Sequence, residues 1–407
     1  MSEELKKREF EYHSDAIEKG DTFICLPKGE RFIDQAKSQG AETVLTLSRP
    51  DFAEFSSKYY NHPSQSLTVV GVTGTNGKTS TCSFITQALH FLGAKVCQMG
   101  TLTHSLTTPE SLDIQEAMAK HLSEGGTHFV MEVSSHGIDQ HRVDCIAFDL
   151  KVLTNITQDH LDYHGSFEVY QSCKLNWMTR DVTQSLFFEK LPRNDRYTSL
   201  RDQLSLSCPQ LKGRFNQDNL CLSAYALFSL GYSQDAVLEA LSSVVAPPGR
   251  FEFIDEGQDF SVIIDYAHTP DGLDNVLSAA KELCDSEASR LICVFGCGGD
   301  RDTGKRPKMA AIAAEKSDFC IVTSDNPRTE PQSLITKDIL AGFPTDYSDF
   351  DVHEDREQAI KVAIYSANAN DVIVIAGKGH EDYQIFKTET ISFDDRNVAR
   401  EILKNAH

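Results

Sequence analysis

Apolar and polar positions follow a repeated order along this chain. Seven segments each carry a short run of apolar, β-favouring residues, then a polar or glycine-rich motif, then a helix-like pattern. They are SLTVVGVTGTNGKTS, THFVMEVSSHG, FDLKVLTNITQDH, FSVIIDYAHTPDG, RLICVFGCGGDRD, DFCIVTSDNPR and DVIVIAGKGHED. Continuous apolar strands that alternate with helices predict parallel sheets covered on both faces. Ligands bind beyond the carboxyl ends of such strands, so the seven polar motifs are where site residues are expected.

Two breaks in composition predict three domains. The polar stretch NHPSQS ends a small unit at residue 66, and the prolines of the Ala246–Gly249 stretch, APPG, cannot continue a helix. The expected domains are therefore residues 1–66, 67–248 and 249–407. Both larger units follow the α/β pattern, but only the middle one carries a phosphate-loop motif.

Charge and hydropathy limit the partners of the protein. Lys and Arg number 39 against 60 Asp and Glu, which gives a net charge of −21 and a pI near 5.0. This balance argues against a protein that coats nucleic acid or an anionic membrane, although it leaves room for a local phosphate site. The N-terminus has no apolar core of about 7–15 residues, and no stretch reaches the roughly 18 apolar residues of a membrane span. We expect a cytoplasmic protein without membrane insertion.

The 11 cysteines are an odd number and form no CxxC pair. Because most lie in apolar runs, we predict that they are reduced core residues, with a redox or metal role as the alternative. Examples are Cys82, Cys97, Cys145, Cys293, Cys297 and Cys320.

The first candidate site is a phosphate loop. GVTGTNGKT, from Gly71 to Thr79, follows an apolar strand and opens a helix-like segment. Glycines let backbone N–H groups and a helix N-terminus face phosphate, while Lys78 would reach the β- and γ-phosphates and Thr79 would bind Mg²⁺. Valine at position 72 replaces the glycine of the strict pattern, so the match is to a GxxGxxGKT variant; a chance glycine-rich turn is the alternative. The candidate nucleotide residues are Gly74, Thr75, Asn76, Gly77, Lys78, Thr79 and Ser80.

Carboxylates and histidines after two other strands suggest a metal site. Glu132 ends one strand and His160 follows another, so both should reach the edge that carries the phosphate loop. A carboxylate suits Mg²⁺, for which histidine is less usual. Zinc binding by His160 and His164 stays open, and His136 and His141 lie nearby in sequence. Asp159 and Asp162 are equally interpretable as helix-capping or surface charges.

The third unit ends three strands with charged motifs. These motifs contribute Arg301, Asp325, Asn326, Pro327, Arg328, Gly377 and Glu381. Guanidinium groups bind carboxylates in a bidentate manner and a carboxylate holds an ammonium group, so together they describe an amino-acid pocket. Surface ion pairs or turn residues are the alternative. The glycines of GCGG do not form GxGxxG, which argues against dinucleotide binding.

Taken together, these strings resemble the Mur ligase family. MEVSSHGIDQHRV, DHLDYHG, PGRFE, DYAHTPDGL, FGCGGDRDTGKRP, DNPRTE and AGKGHEDYQ carry the resemblance, which runs from about Leu67 to the C-terminus. It implies an α/β protein of three domains: a small N-terminal uridine-nucleotide domain, a central phosphate-loop ATPase domain with a parallel sheet, and a C-terminal Rossmann-like domain. It further implies ATP-dependent amide bond formation, in which a substrate carboxylate becomes an acyl phosphate that an amine then attacks.

The resemblance also implies roles around the nucleotide. Thr79 and Glu132 would lie near one Mg²⁺ and His160 near a second, with Lys78 on the phosphates. Lys174 would be a routine surface lysine by composition, but it matches the family lysine that CO₂ converts to a carbamate, which then serves as a metal ligand. The family residues on the adenine, γ-phosphate and ribose are matched by Asn216, Asn219, Arg250 and Asp265.

For the other two substrates, the resemblance implies a UDP-muramoyl dipeptide and meso-diaminopimelate. Contacts to the first match Thr107, Thr108, Ser134, Gln140 and Arg142, although Leu106 stands where many relatives have asparagine. In the short first unit the uridine motif of the family appears only as the segment from Tyr12 to Phe23, with Asp15 in place of its arginine, and Ser14 is the expected contact to the uracil or diphosphate. The pocket of Arg301, Asp325, Asn326, Pro327, Arg328, Gly377 and Glu381 matches the diaminopimelate site, because Arg328 can pair with a carboxylate that lysine lacks. A monomer is expected.

Other functions remain open from the sequence. The same reaction with L-lysine as acceptor is one, and a sister ligase such as a folylpolyglutamate or cyanophycin synthetase is another, although those lack the DNPR and SSHGxxQxR combination. A phosphate-loop regulatory ATPase without ligation, or a non-catalytic binding protein, belongs to a different class.

Overall fold

The structure, a computed structural model, describes residues 8–180, 182–187, 208, 211–284 and 288–406. Three separate parallel-stranded layers, each covered by helices, follow one another along the chain. The α/β class with three sheet-containing units is thereby confirmed. None of the described helices is long and apolar enough to cross a membrane.

The N-terminal unit is a small parallel sheet with two helices. Its strands are arranged in the order β1-β2-β3. Ser48 caps the second helix by accepting from the backbone N–H of Asp51, and Pro50 occupies the first turn, where its missing N–H costs nothing. The elements are β1 (Phe10–Glu11), β2 (Thr22–Cys25), α1 (Ile33–Gln39), β3 (Thr43–Thr46) and α2 (Arg49–Tyr59), with 3₁₀ turns at Glu30–Phe32 and Pro63–Ser66.

The central unit is a five-stranded parallel sheet in the order β5-β6-β4-β7-β8. Its apolar core lies on both faces of the sheet, which explains why the strands are continuous apolar runs. The strands are β4 (Thr68–Thr73), β5 (Val96–Met99), β6 (His128–Glu132), β7 (Phe148–Leu153) and β8 (Val182–Phe187). The helices are α3 (Lys78–Phe91), α4 (Ser111–Ser123), α5 (Ser135–Asp139), α6 (Leu161–His164), α7 (Phe167–Thr179), α8 (Arg214–Ser229) and α9 (Gln234–Ser242).

The C-terminal unit has a six-stranded sheet in the order β13-β12-β11-β14-β10-β9, in which only β9 is antiparallel to its neighbour. A two-stranded hairpin, β15-β16, stands beside it. The strands are β9 (Glu252–Ile254), β10 (Ser261–Asp265), β11 (Leu291–Phe295), β12 (Phe319–Thr323), β13 (Phe350–His353), β14 (Val372–Ala376), β15 (Tyr383–Ile385) and β16 (Thr390–Ser392). The helices are α10 (Pro270–Lys281), α11 (Lys305–Lys316), α12 (Gln332–Leu340), α13 (Arg356–Ser366) and α14 (Asp395–Ala406).

The N-terminal unit is fixed to helix α4 of the central unit. Arg8 donates to Asp113 of α4 at 2.9 Å, and Tyr12 bonds the same carboxylate. Phe52 of α2 packs against Leu112 of α4, and both are buried. Apolar contact and charge pairing therefore hold these two units together.

The cysteine prediction is correct for most positions and wrong for one. All eleven cysteines are free, and Cys82, Cys293, Cys297 and Cys320 are buried. Cys145 is exposed instead, at a turn residue with φ of 59° that interrupts the apolar run. The apolar stretch VDCIAFDL gives no sign of this turn, because it continues without a break into the strand, which begins only at Phe148.

Candidate active site

The phosphate loop lies between β4 and α3. Strand β4 extends through Val72, which is fully buried and pairs with Glu132 on one side and Val152 on the other. Valine is therefore suited to position 72, and the loop proper begins later. Gly74 has a φ of 148°, and a Cβ there would lie 1.8 Å from the hydroxyl of Thr154, so only glycine fits.

The loop is held by the segment that follows β7. The backbone N–H of Asn76 donates to Asn155 Oδ1 at 2.9 Å, and the N–H of Thr75 donates to the Asn155 carbonyl at 2.9 Å. Lys78 Nζ turns back to the carbonyls of Gly74 and Thr75 at 2.9 and 2.8 Å, and burial lowers the pKa of its ammonium. Asn155 escaped the sequence prediction, although it lies in one of the strand-end motifs.

A hydrogen-bonded chain joins the phosphate loop to the next loop. The hydroxyl of Thr79 donates to Glu132 Oε2 at 2.9 Å, and the fully buried Glu132 also accepts from the N–H of Thr101 at 2.9 Å. Thr101 Oγ1 lies 3.2 Å from Glu132 Oε2 and 3.0 Å from the hydroxyl of Thr107. A hydroxyl and a carboxylate bonded by neutral donors are hard oxygen ligands, so these side chains fit Mg²⁺. Thr101 was not predicted.

The histidines lie around the start of α6. His160 has a φ of 52°, and its ring is 4.7 Å from that of His136 and in edge contact with it. Desolvation lowers the pKa of His160 to about 4, so its ring is neutral at pH 7. His141 instead pairs with Asp144 at 2.7 Å. Within the described ranges no three His, Cys, Asp or Glu side chains form a metal-binding group, which gives the zinc alternative no support.

The two acidic residues of this motif differ in environment. Asp159 accepts from the backbone N–H of His160 at 2.8 Å and lies 3.4 Å from that residue's ring nitrogen. Asp162 is exposed within α6. Helix capping suits neither, because the N-cap of α6 is His160 and no side chain caps this helix. Surface charge suits Asp162.

Lys174 is buried in α7, with only 1% of its surface exposed. Its Nζ donates to the carbonyl of Gly74 at 3.0 Å and to the hydroxyl of Thr73 at 3.2 Å. Burial, and then the nearby charge of Lys78, lowers the pKa of Lys174 well below its usual value. The prediction from composition, a surface lysine, is wrong, because one face of α7 packs against the phosphate loop.

A second group of predicted residues lies beside Glu132. The hydroxyl of Thr108 donates to the Glu132 carbonyl at 3.0 Å and accepts from the N–H of Ser134 at 2.9 Å. Arg142 donates to the carbonyl of Thr108 at 2.7 Å and to Gln140 Oε1 at 2.6 Å. These residues form one hydrogen-bonded network with Glu132, which Thr107 joins through Thr101.

An ion-pair network joins the N-terminal unit to these residues. Glu110 bonds Arg49 of α2 at 2.9 Å and lies 3.1 Å from Arg142 Nε. Ser14 is buried, and its hydroxyl donates to Asp15 at 3.2 Å. Arg49 is therefore linked through Glu110 to Arg142, one of the predicted contacts to the UDP-muramoyl dipeptide. No motif in the sequence indicated Arg49.

The C-terminal unit approaches the phosphate loop with Arg250. Its Nη2 donates to the Thr79 hydroxyl at 3.2 Å, while the guanidinium lies 4.2 Å from the ring centre of Tyr266. Asp265 holds this turn, because its carboxylate accepts from the N–H groups of Phe251 and Ala267, both at 2.7 Å. Both carboxylate oxygens of Asp265 thus accept from backbone N–H groups. The sequence analysis predicted ribose binding for Asp265 but not this bonding to the backbone.

The two predicted adenine-side asparagines lie on α8. Asn219 Oδ1 accepts from the hydroxyl of Thr81 at 3.3 Å and would lie 2.5 Å from a Cβ at Gly77. Asn216 donates to the carbonyl of Lys212 at 2.9 Å. Asn219 therefore contacts the loop, and Asn216 fixes the start of its own helix. Ser80 is buried in the first turn of α3.

The predicted amino-acid pocket is assembled at the carboxyl ends of β11, β12 and β14. Arg328 donates to the carbonyl of Gly299 at 3.0 Å. A Cβ at Gly298 would lie 2.9 Å from Arg328 Nη1 and 3.7 Å from Arg301 Cγ, so both arginines flank this glycine. Pro327 contributes its carbonyl beside Gly299.

The acidic residues of the predicted pocket lie in the loops that follow β12 and β14. Asn326 Nδ2 donates to Glu381 at 2.9 Å, and a Cβ at Gly377 would lie 3.0 Å from Asp325 Oδ2. Burial, together with the charge of Asp325, raises the pKa of Glu381. Lys378, fully buried, donates to Glu381 at 3.2 Å. Lys378 lies inside a quoted motif, yet no role was predicted for it.

Comparisons with known proteins identify the family of the chain. The profile described as Mur ligase middle domain matches residues 72–188, and the one described as Mur ligase, glutamate ligase domain matches residues 249–379. The UDP-N-acetylmuramoyl-L-alanyl-D-glutamate--2,6-diaminopimelate ligase of Syntrophomonas wolfei is 38% identical, over 97% of this chain and 94% of that protein. The ligase of the same name from Haemophilus influenzae is 36% identical, over 98% and 97%.

Solved structures give the same family. A ligase structure with that name superposes with a TM-score of 0.60 at 28% identity, over 98% of this chain and 95% of the other. Mycobacterium tuberculosis folylpolyglutamate synthase reaches 0.63 at 18% identity, over 81% and 92%, and so shares the fold alone. With the phosphate loop, the buried carboxylate and the charged pocket on one chain, and with relatives over nearly its whole length, this chain belongs to the Mur ligase family.

Proposed function

We propose that this protein is the ADP-forming ligase that joins meso-diaminopimelate to the D-glutamate carboxylate of UDP-N-acetylmuramoyl-L-Ala-D-Glu, in cytoplasmic peptidoglycan precursor synthesis. The observation that carries the proposal is that Arg301, Arg328, Asp325 and Glu381 lie in the loops that follow β11, β12 and β14, with Arg301 and Arg328 beside Gly298 and Glu381 bonded to Asn326. Diaminopimelate has two carboxylates and two ammonium groups, whereas lysine has a single carboxylate. An acceptor without the second carboxylate would leave a guanidinium group unpaired.

The chemistry follows from the charge of the residues around the phosphate loop. ATP transfers its γ-phosphoryl group to the substrate carboxylate, ADP leaves, and the amine of the acceptor attacks the acyl phosphate and displaces phosphate. Lys78 and Arg250, which both contact residues of the phosphate loop, would stabilise the negative charge of the transferring group. Thr79, Glu132 and His160 would hold Mg²⁺, which neutralises charge on the phosphates when bound.

The remaining assignments extend this proposal. Gly74–Ser80 with Asn216, Asn219 and Asp265 would surround the nucleotide. Ser14, Thr107, Thr108, Ser134, Gln140 and Arg142 would bind the UDP-muramoyl dipeptide. We assign residues 1–66, 67–248 and 249–407 to three domains of a monomer.

Lys174 as a carbamate is a further part of the proposal. A carbamate forms from CO₂ and a neutral amine, and the lowered pKa of the buried Lys174 favours that neutral form. With ¹³C-bicarbonate we expect one slowly exchanging carbonyl resonance that Lys174→Met removes. The exposed Lys212 offers the control, since Lys212→Met should keep the resonance; loss from both variants, or from neither, contradicts the assignment.

The reaction is tested by phosphate release and product mass with ATP, Mg²⁺ and the UDP-muramoyl dipeptide. We expect tripeptide with meso-diaminopimelate and far less with L-lysine. Arg328→Ala should lower kcat/KM for diaminopimelate by about 30-fold or more, because a lost buried charge pair costs about 2 kcal/mol or more. Arg400→Ala is the matched control, since Arg400 pairs with Glu252 at the surface. Equal use of lysine overturns the acceptor assignment, and ATP hydrolysis indifferent to any acceptor indicates the regulatory ATPase.

A further inference from the structure

Two helices of the C-terminal unit begin with oppositely charged residues that meet in its interior. Arg356 opens α13 and Asp395 opens α14, and neither side chain has any exposed surface. Arg356 Nε and Nη2 each lie 2.7 Å from one oxygen of Asp395. This geometry is bidentate, and the buried guanidinium has its counter-charge in place.

The other donors of Arg356 reach two strand ends. Nη1 donates to the carbonyl of Ser324 at 3.0 Å, and Nη2 donates to the carbonyl of Ala376 at 3.0 Å. These carbonyls immediately precede Asp325 and Gly377, with which the two acidic loops of the pocket begin.

The two strands that end there are not neighbours. Strand β11 lies between β12 and β14, so no backbone ladder joins these two strands directly, and their ends are related only through β11. The planar guanidinium of Arg356 bonds one carbonyl at the end of each strand, and its rigid geometry fixes the directions of the two bonds. A lysine, with a flexible stem and a single nitrogen, could not fix both. Gln384 adds a second tie to one of the loops, donating to Ser324 Oγ and to the Asp325 carbonyl, both at 2.7 Å.

We infer that the Arg356–Asp395 pair is a positioning device that sets the spacing between the loop of Asp325 and Arg328 and the loop of Gly377 and Glu381. The pair touches no substrate and acts through the two carbonyls. The inference rests on the proposed function, since those loops form the proposed acceptor pocket. A shift of a few tenths of an ångström there separates the charges that must meet one acceptor molecule, so acceptor binding is the step that depends on it.

The C-terminal unit contains a control pair. Arg290 and Asp371 also pair at 2.7 Å, and Arg290 donates to the Ser366 carbonyl, but they precede β11 and β14 at the opposite end of the same sheet. In this pair only Asp371 is buried, since the Arg290 side chain is 38% exposed. Replacing both members of a buried pair with apolar residues avoids an unpaired charge and commonly leaves the fold intact. Arg356→Met with Asp395→Leu is therefore compared with Arg290→Met with Asp371→Leu.

The readout is the KM for each substrate in the ligation assay. For the Arg356→Met/Asp395→Leu protein we expect the KM for meso-diaminopimelate to rise at least tenfold and its preference over lysine to shrink. The KM values for ATP and for the UDP-muramoyl dipeptide should stay within twofold. For the control double variant we expect all three KM values to remain near wild type, whatever its melting temperature.

Two results overturn the inference: an acceptor KM that moves no further than the ATP KM, or an equal rise in the control variant. If the double variant does not fold, Asp395→Asn, which keeps the shape of the side chain, is judged by the same comparison of KM values. Failure of the proposed function is distinguished by the wild-type protein. If the wild type used another amino acid instead of diaminopimelate, the KM for that amino acid would decide the role of the pair.

Discussion

The buried lysine of β7 leads to a quantitative prediction about stability. Lys151 is 2% exposed, and its ammonium donates to the carbonyl of Trp177 at 2.8 Å and to that of Arg180, at the end of α7. It also lies 4.6 Å from the ring centre of Trp177. A cation at the C-terminal end of α7 is stabilised by the negative end of the helix dipole. Helix α7 is also the helix that carries Lys174.

Lys151→Met keeps most of the apolar volume but removes the ammonium. The buried Trp177 carbonyl is then left with the long hydrogen bond from the backbone N–H of Arg180, at 3.4 Å. Losing its better donor costs about 1–3 kcal/mol, and the carbonyl of Arg180, an exposed residue, is partly hydrated. Loss of the contact with the indole adds about 1 kcal/mol. We therefore expect the free energy of unfolding of the central unit to fall by about 2–4 kcal/mol.

Urea unfolding followed by tryptophan fluorescence measures this change directly. Trp177 is the single tryptophan of the chain, so the signal reports the unit that contains Lys151. Lys95 gives a matched control, because it too donates to a carbonyl at the end of a helix, that of Glu124, but is exposed. Lys95→Met should cost less than about 0.5 kcal/mol. Equal midpoints for the two variants would refute the argument from burial.

Three further changes have defined outcomes. Glu132→Gln keeps the shape of a fully buried side chain, so we expect a near-normal melting temperature with ligation, measured as phosphate release, slowed by about 100-fold or more. Gly249→Ala puts a methyl group 2.2 Å from the Gly379 carbonyl carbon, so its melting temperature should fall well below that of Gly231→Ala, which meets open space. Burial, and then nearby charge, lowers the pKa of His268 from 6.5 to about 4. As the pH drops from 6.5 towards 4, the unfolded chain binds the proton before the folded one, so the free energy of unfolding measured in urea should fall. In His268→Gln this fall should be smaller.

The strands and the phosphate loop could be predicted because their signals are local. Each of the seven apolar runs became a strand, and the polar motifs lie at the strand ends, since continuous burial on both faces requires apolar residues throughout. The charges of the acceptor pocket also follow this rule. Their convergence comes from the parallel direction of β11, β12 and β14 rather than from proximity in sequence.

The residues that sequence analysis missed depend on tertiary contact. Thr101 follows the short strand β5, whose four residues show no alternation in burial, so its position beside Glu132 had little local signal. Arg356 stands in a polar stretch, HEDREQAI, that is typical of a solvated helix start. Its burial depends on Asp395, 39 residues later, and no periodicity within either helix reveals that partner.

The contact between the N-terminal unit and helix α4 has a consequence for protein engineering. Arg8 and Tyr12 both bond Asp113, and Phe52 packs on Leu112. The surface on which the N-terminal unit docks is therefore formed by residues of the central unit. A chimaera that takes only the first 66 residues from a relative would present unmatched charges to α4. The exchangeable module is therefore discontinuous: the N-terminal segment together with residues 110–116, transplanted as one.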